Sequence, residues 1–250
     1  MTHADPEPIP DALRQQLLAV AVPTLSQALY AKGLRTRFLH GLTPCNPAAA
    51  RFCGPAFTVR AIPVREDLRD AVTRGESPNL HRLAFDAAPA GSVLVCATND
   101  AVRVSVLGDI IATALMRRGV SGVVVDTGVA DIAAVGQIKL PVFCAGSAPV
   151  PSPAQIMVVD HNLPIGIVGV AVFPGDIMVG DANGVVCIPR AMAATIASYA
   201  AEKEALEEFI VEQIAAGAPL ATTYPPDTAT MARYQASRAA KVTGGRSPPG

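Results

Sequence analysis

The run from Leu107 to Asp126 limits the fold more than any other stretch of this chain. Apolar residues recur at helical spacing from Leu107 to Arg118, Gly119 follows, and Gly122-Val-Val-Val-Asp126 is then unbroken by any polar residue before its end. Glycine just past a helix supplies its left-handed stop. A strand without polar alternation is covered on both faces, which is the pattern of a buried parallel strand. Upstream, Ser92-Val-Leu-Val-Cys-Ala97 has the same character. Together they predict a strand, helix, strand unit with a right-handed crossover, and so an α/β layer architecture.

The remaining elements extend that core. Gly54 to Ile62 is rich enough in β-branched residues for a strand, and Leu140 to Ala145 supplies the next one, after a short helix over Ala130 to Val135. Ile165 to Val172, Ile177 to Val179 and Val185 to Ile188 read as three short strands, separated by the turns Pro174-Gly-Asp176 and Asp181-Ala-Asn-Gly184. Asp11 to Lys32 has helical periodicity broken near Pro23, with Thr24 or Ser26 as the cap of a second helix. Arg65 to Ala90 is charged, with a short helix around Leu80 to Asp86. The longest helix spans Arg190 to Ala216, with Ile196, Ala200, Phe209, Ile210 and Ile214 on its buried face, and ends at Gly217. The expected division is an N-terminal extension over 1–20, a main domain over 21–221 and a tail over 222–250. The tail is rich in proline, serine and glycine, and its last ten residues are expected to be disordered.

Charge and cysteine content exclude several classes. A net charge of −1 with 16% charged residues leaves no basic stripe for a phosphate backbone, so nucleic acid is not an expected partner. The five cysteines are dispersed and never in a C-x-x-C spacing, which suggests neither a disulfide framework nor a zinc cluster. Cys53, Cys96, Cys144 and Cys187 sit in apolar runs as small core residues. The start lacks the pattern of a signal peptide, and no apolar run reaches the length of about 18 residues that a membrane span needs. A cytoplasmic protein is expected.

Two places carry candidate chemistry. Gly108-Asp109-Ile110-Ile111 opens a helix, so its first amides lack intrahelical partners and face the positive end of the helix dipole. That is a seat for a carboxylate or a phosphate. Equally, Asp109 can serve as a first-turn acid that stabilises its own helix. Asp126-Thr-Gly-Val-Ala-Asp131 follows the strand Val123 to Val125, and loops at the carboxyl ends of parallel strands are where α/β sheets hold ligands. Asp131 reads either as a ligand at the sheet's mouth or as the N-cap of the next helix, and Asp126 as a turn residue bonding its own loop. His40, His81 and His161 are isolated, without the spacing of a metal cluster.

Gly108 to Asp126, followed by Gly128 and Asp131, resembles the RraA-like family, which includes 4-hydroxy-4-methyl-2-oxoglutarate aldolases. The run from Phe173-Pro-Gly-Asp176 to Ile188-Pro189 carries the same resemblance, which extends over roughly Ala21 to Tyr234. It implies an α-β-β-α sandwich with a swivelling-domain-like arrangement, assembled as a homotrimer or a dimer of trimers. It also implies a Mg²⁺- or Mn²⁺-dependent lyase that cleaves a small 2-oxoacid, by retro-aldol reaction or by decarboxylation of oxaloacetate.

In the aldolase branch an Asp, twenty intervening residues and an Arg-Asp pair mark the site. Here they correspond to Asp109 and to Ala130-Asp131. The resemblance assigns the metal to Asp131, the oxoacid's carboxylate to the amides of Gly108 to Ile111, and a water-orienting role to Asp109. Ala130 stands where the family has its arginine, so the oxoacid loses a cation there. Arg103, on the loop entering the helix, is the nearest substitute by sequence; Arg117 and Arg118 lie about 14 Å away at the far end of the helix. Glu202 and Glu204 on the long helix correspond weakly to an acid that a neighbouring subunit contributes in that branch. Some family members instead bind and inhibit an endoribonuclease, and the missing arginine favours that alternative. A methyltransferase label also attaches to the family, but no glycine-rich strand-turn-helix supports a nucleotide cofactor.

Overall fold

The computed structural model describes residues 5–244. They divide into two compact units, which meet in sequence between Ser198 and Tyr199. In the first, helices α1 (Asp11–Ala19) and α2 (Val22–Ala31) precede β1 (Thr43–Pro44) and the long strand β2 (Phe52–Pro63). Next come α3 (Glu66–Thr73), α4 (Leu80–Asp86), β3 (Val93–Ala97), α5 (Asp109–Arg117) and β4 (Gly122–Val125). They are followed by β5 (Gly128–Val129), α6 (Ile132–Val135), β6 (Val142–Cys144), β7 (Gly146–Ser147) and β8 (Ile156–His161). The unit closes with β9 (Ile165–Ile167), β10 (Val170–Val172), β11 (Ile177–Asp181), β12 (Gly184–Ile188) and the start of α7 (Ala193–Ala215).

The centre of the main sheet is parallel, with β2, β3, β4 and β6 side by side and Leu94 in register between Phe57 and Val123. β1 pairs antiparallel with β6 at one edge. On the other side β2 is long enough for two partners: its first residues pair with β11, which carries β12, and Val59–Pro63 pairs with β8. Alternation along each strand feeds two cores. Leu94, Cys96, Val123 and Val125 pack with Phe85 of α4 and with Ala112 and Leu115 of α5. Val93, Val95 and Val124 pack on the opposite face with Phe52, Phe143, Val185 and Cys187. Each such side chain contributes about 1.5–3 kcal/mol on burial, which is why a run without polar residues forms this strand. The α/β fold expected from the sequence is the fold observed, and Cys53, Cys96, Cys144 and Cys187 are buried within it.

Several local readings change. Neither Thr24 nor Ser26 caps α2, because Pro23 lies inside its first turn and Ala21 holds the N-cap position without a side-chain bond. The cap comes instead from the far end of the sheet, where Asp181 Oδ2 accepts the Val22 N–H at 2.9 Å. Ile165 to Val172 is a hairpin rather than one strand, turned by Val168 and Gly169 at positive φ. Strand β8 had no counterpart in the sequence reading, although buried Ile156 and Val158 alternate with half-buried neighbours along it.

The second unit contains the rest of α7, then α8 (Leu220–Thr223) and α9 (Thr228–Gly244). The rings of Phe209 and Tyr234 meet at 5.5 Å between centroids and join the two long helices. Of the last ten residues, expected to be disordered, 241–244 end α9 and 245–250 lie outside the described residues. The signal passed over is Asp227, whose Oδ1 accepts the Thr230 N–H at 2.7 Å as α9 begins. Among the described residues no helix is long and apolar enough to cross a membrane.

Candidate active site

The site lies in the loops beyond the carboxyl ends of β3 and β4. Asp126 is the last residue of the apolar run before the chain turns, and it is 1% exposed. Its carboxylate accepts from the Thr98 amide at 2.8 and 3.0 Å, the Thr98 hydroxyl at 2.6 Å and the Asp100 amide at 3.2 Å. Asp126 thus bonds the neighbouring loop, not its own as the turn reading held. Asn99 and Asp100 adopt positive φ, a conformation these short polar residues tolerate, and the carboxylate holds them there. Burial pushes the Asp126 carboxyl above the usual carboxylate range, and the Thr98 and Asp100 donors oppose that shift.

Five residues on, Asp131 has a contrasting environment. It occupies the N-cap position of α6 with φ 51° and ψ 37°, yet its side chain makes no capping hydrogen bond. It is exposed, and it reaches the start of α5. A Cβ placed on Gly108 would stand 2.9 Å from Asp131 Oδ2 and 3.4 Å from the Ala130 Cβ, so glycine is required for this approach. Nearby, a Cβ on Gly128 would overlap the Ala148 methyl, which lets β5 and β7 close up and sets the corner that carries Asp131. Gly108 in turn provides no side-chain cap for α5, and the first amide of the helix to find its carbonyl is that of Ala112. The amides of Asp109, Ile110 and Ile111 are therefore left for a ligand or solvent, at the positive end of the helix.

These residues share one cavity of about 650 Å³, lined by Gly108 to Ile111, Ala130 and Asp131 together with Asn79, His81, Arg82 and Pro151 to Pro153. The sequence-predicted Gly108, Asp109, Ile110, Ile111 and Asp131 are thus brought together. Arg103 is exposed and does not line the cavity, whereas Arg118, a helix length from Gly108, does. Glu202 and Glu204 belong to the second unit.

The residue that sequence reasoning passed over is His81. Burial pushes its imidazole below the ordinary histidine range; a hydrogen bond to the Val106 backbone opposes this, and the charge of Arg82 adds to it. Its Nε2 is buried with no hydrogen-bond partner. The signal was its place in the Leu80 to Asp86 helix, one turn before Phe85, whose ring it meets edge-on at 4.6 Å.

The donor set selects among metals. No group of three or more His, Cys, Asp or Glu among the described residues is placed to hold an ion, which does not fit a zinc cage. One exposed, uncapped carboxylate with Asp109 in the same cavity fits a dication that keeps most of its water, as Mg²⁺ does.

Comparison with known proteins gives the class: the chain belongs to the RraA-like family, whose profile, Aldolase/RraA, matches residues 22–187. A "Putative 4-hydroxy-4-methyl-2-oxoglutarate aldolase" of Halalkalibacterium halodurans is 30% identical over 155 residues, which cover 62% of this chain and 68% of that one. Protein DlpA of Legionella pneumophila is 30% identical over 212 residues, 83% of this chain; the match spans only 32% of DlpA, about a third of its length. The crystal structure of Streptomyces coelicolor RraAS2, an unusual member of the RNase ES inhibitor RraA protein family, superposes with a TM-score of 0.71 at 28% identity. It covers 83% of this chain and 98% of that one.

Proposed function

We propose that this protein is a divalent-metal-dependent carbon–carbon lyase acting on a small 2-oxoacid. The reaction is retro-aldol cleavage of a 4-hydroxy-2-oxoacid to pyruvate, decarboxylation of oxaloacetate, or both. The observation that carries the reading is the Asp131 carboxylate, held uncapped in a left-handed conformation against the open start of α5. A residue kept in that conformation without a local hydrogen bond in return is costly, and such costs concentrate at functional sites.

Asp131 is the residue that would hold Mg²⁺ or Mn²⁺, with water completing the shell. Bound there, the ion supplies Lewis-acid polarisation of the 2-oxo group. The amides of Asp109, Ile110 and Ile111 take the carboxylate, which fixes the three-carbon end while the bond beyond C3 breaks. Cleavage leaves C3 electron-rich. Asp109, half-buried at the first turn, orients the water that takes the 4-hydroxyl proton as the C3–C4 bond of an aldol substrate breaks and then delivers a proton to C3; from oxaloacetate carbon dioxide leaves instead, and only the second transfer is needed. By the family resemblance, the working assembly is a homotrimer or a dimer of trimers.

Purified protein with Mg²⁺ or Mn²⁺ should release pyruvate from oxaloacetate or a 4-hydroxy-2-oxoacid, and Asp131→Ala should lower kcat/KM on the order of 10³-fold, the scale of several kcal/mol of electrostatic stabilisation. Equal rates in both proteins would refute the reading. One observation favours a second: Ala130 leaves the cavity wall uncharged next to Asp131, which suits a non-catalytic RraA-type protein that binds an endoribonuclease. The two separate on metal-dependent stabilisation, since an ion that binds only the folded protein raises its Tm. The lyase gains stability with Mn²⁺ and loses that gain in Asp131→Ala.

A further inference from the structure

We propose that Arg82 of α4 is the cation that binds the substrate's carboxylate in this cavity. The proposal rests on the lyase reading and adds to it the residue that anchors the acid end. Three carboxylates, those of Asp86, Asp109 and Asp131, line the cavity, and a dication on Asp131 would offset only part of their charge, so an entering oxoacid anion still meets like charge unless a side-chain cation faces it. The lining offers two, Arg82 and Arg118. Arg118 follows the last residue of α5, about 15 Å from Gly108 at the helical rise, and its Nε donates to the Ala88 carbonyl at 3.4 Å.

Arg82 differs in both respects. Its neighbour His81 lines the same cavity as Val106, Leu107 and Gly108, which places α4 beside the open end of α5. Its own backbone is fixed by the Asn79 cap, where Oδ1 accepts the Arg82 N–H at 3.2 Å. The guanidinium, however, has no ion pair or hydrogen bond among the described residues, not even with Asp86 one turn on.

The rest of the charged insert behaves otherwise. Arg65 closes on Asp67 at 2.6 Å, Arg69 on Asp70 at 2.8 Å and Arg74 on Glu76 at 2.7 Å. Three arginines of this stretch are neutralised by an adjacent acid, and Arg82 is left with its planar fork of donors at the cavity wall. That fork matches a carboxylate in a two-point contact, with a geometry that lysine does not reproduce.

Titration of pyruvate into the Mn²⁺-loaded and the metal-free protein tests this. Arg82→Gln should weaken pyruvate binding roughly 10- to 100-fold, the range of a charge-assisted contact. Arg82→Lys should recover part of that loss, and Mn²⁺ affinity should stay unchanged in both variants. Arg118→Gln should keep the wild-type pyruvate Kd. Wild-type pyruvate affinity in Arg82→Gln, or a larger loss in Arg118→Gln, overturns the role of Arg82 and leaves the lyase reading standing. A wild-type protein that binds no pyruvate in either metal state overturns both.

Discussion

Asp126 and Asp131 sit five residues apart on one loop, and they are built in opposite ways. Asp126 is buried, and its two oxygens take up donors from Thr98 and Asp100. Asp131 is exposed, with a left-handed backbone and a side chain that caps nothing. The first carboxylate uses its bonding capacity inside the protein and holds two loops together. The second leaves its capacity open beside the unpaired amides of α5. Sequence position at a strand end does not separate the two roles, but hydrogen-bond accounting does.

The sharpest way to break this contrast is Asp126→Ala. Removing the acceptor strands the buried Thr98 amide and its hydroxyl, so denaturant unfolding should report a loss of about 2–4 kcal/mol. A loss within about 0.5 kcal/mol would mean the latch is not structural. Asp131→Gly should act in the reverse sense: glycine adopts the left-handed backbone without strain, so stability should rise by about 0.5 kcal/mol while Mn²⁺ binding disappears. A variant that unfolds more easily and still binds Mn²⁺ would erase the distinction between the two acids.

The smallest effect concerns His81, which lines the same cavity as Asp131. The His81 imidazole is held below its ordinary value of 6.5, so the folded state favours the neutral ring. Its contribution to stability is full above that value and is lost as pH falls through the lowered one. Between pH 7 and 5 the Tm of the wild type should therefore drop more steeply than that of His81→Gln. Parallel slopes would show that the ring titrates freely and that the wall is open to water.

Particular residues decide what the sequence could disclose. Val123 to Val125 announced a strand buried on both faces because each valine has a core to fill, and Gly108-Asp109 announced a helix start because glycine and an acid are suited to that position. The left-handed turn of Asp131 was not legible. It follows from the closure of Gly128 on Ala148 and of Asp131 on Gly108, contacts between segments that no local pattern joins. Arg103 looked nearer to the site than Arg82 only because distance along the chain stood in for distance in space. Strand β8 was hidden for a related reason, since its pairing with the end of β2 gives it half-buried residues where a core strand would be uniformly apolar. In α9, Pro225-Pro226 drew attention away from Asp227, the residue that starts the helix.

The remote cap on α2 bears on how the chain acquires its structure. A helix of ten residues is marginal in water by itself, and a missing N-cap removes about 1 kcal/mol more. Its acceptor, Asp181, lies 159 residues later in the chain. A nascent polypeptide leaving the ribosome must therefore carry this segment unfinished until the β11–β12 hairpin has emerged, so one of the first helices to be made is among the last pieces to be secured.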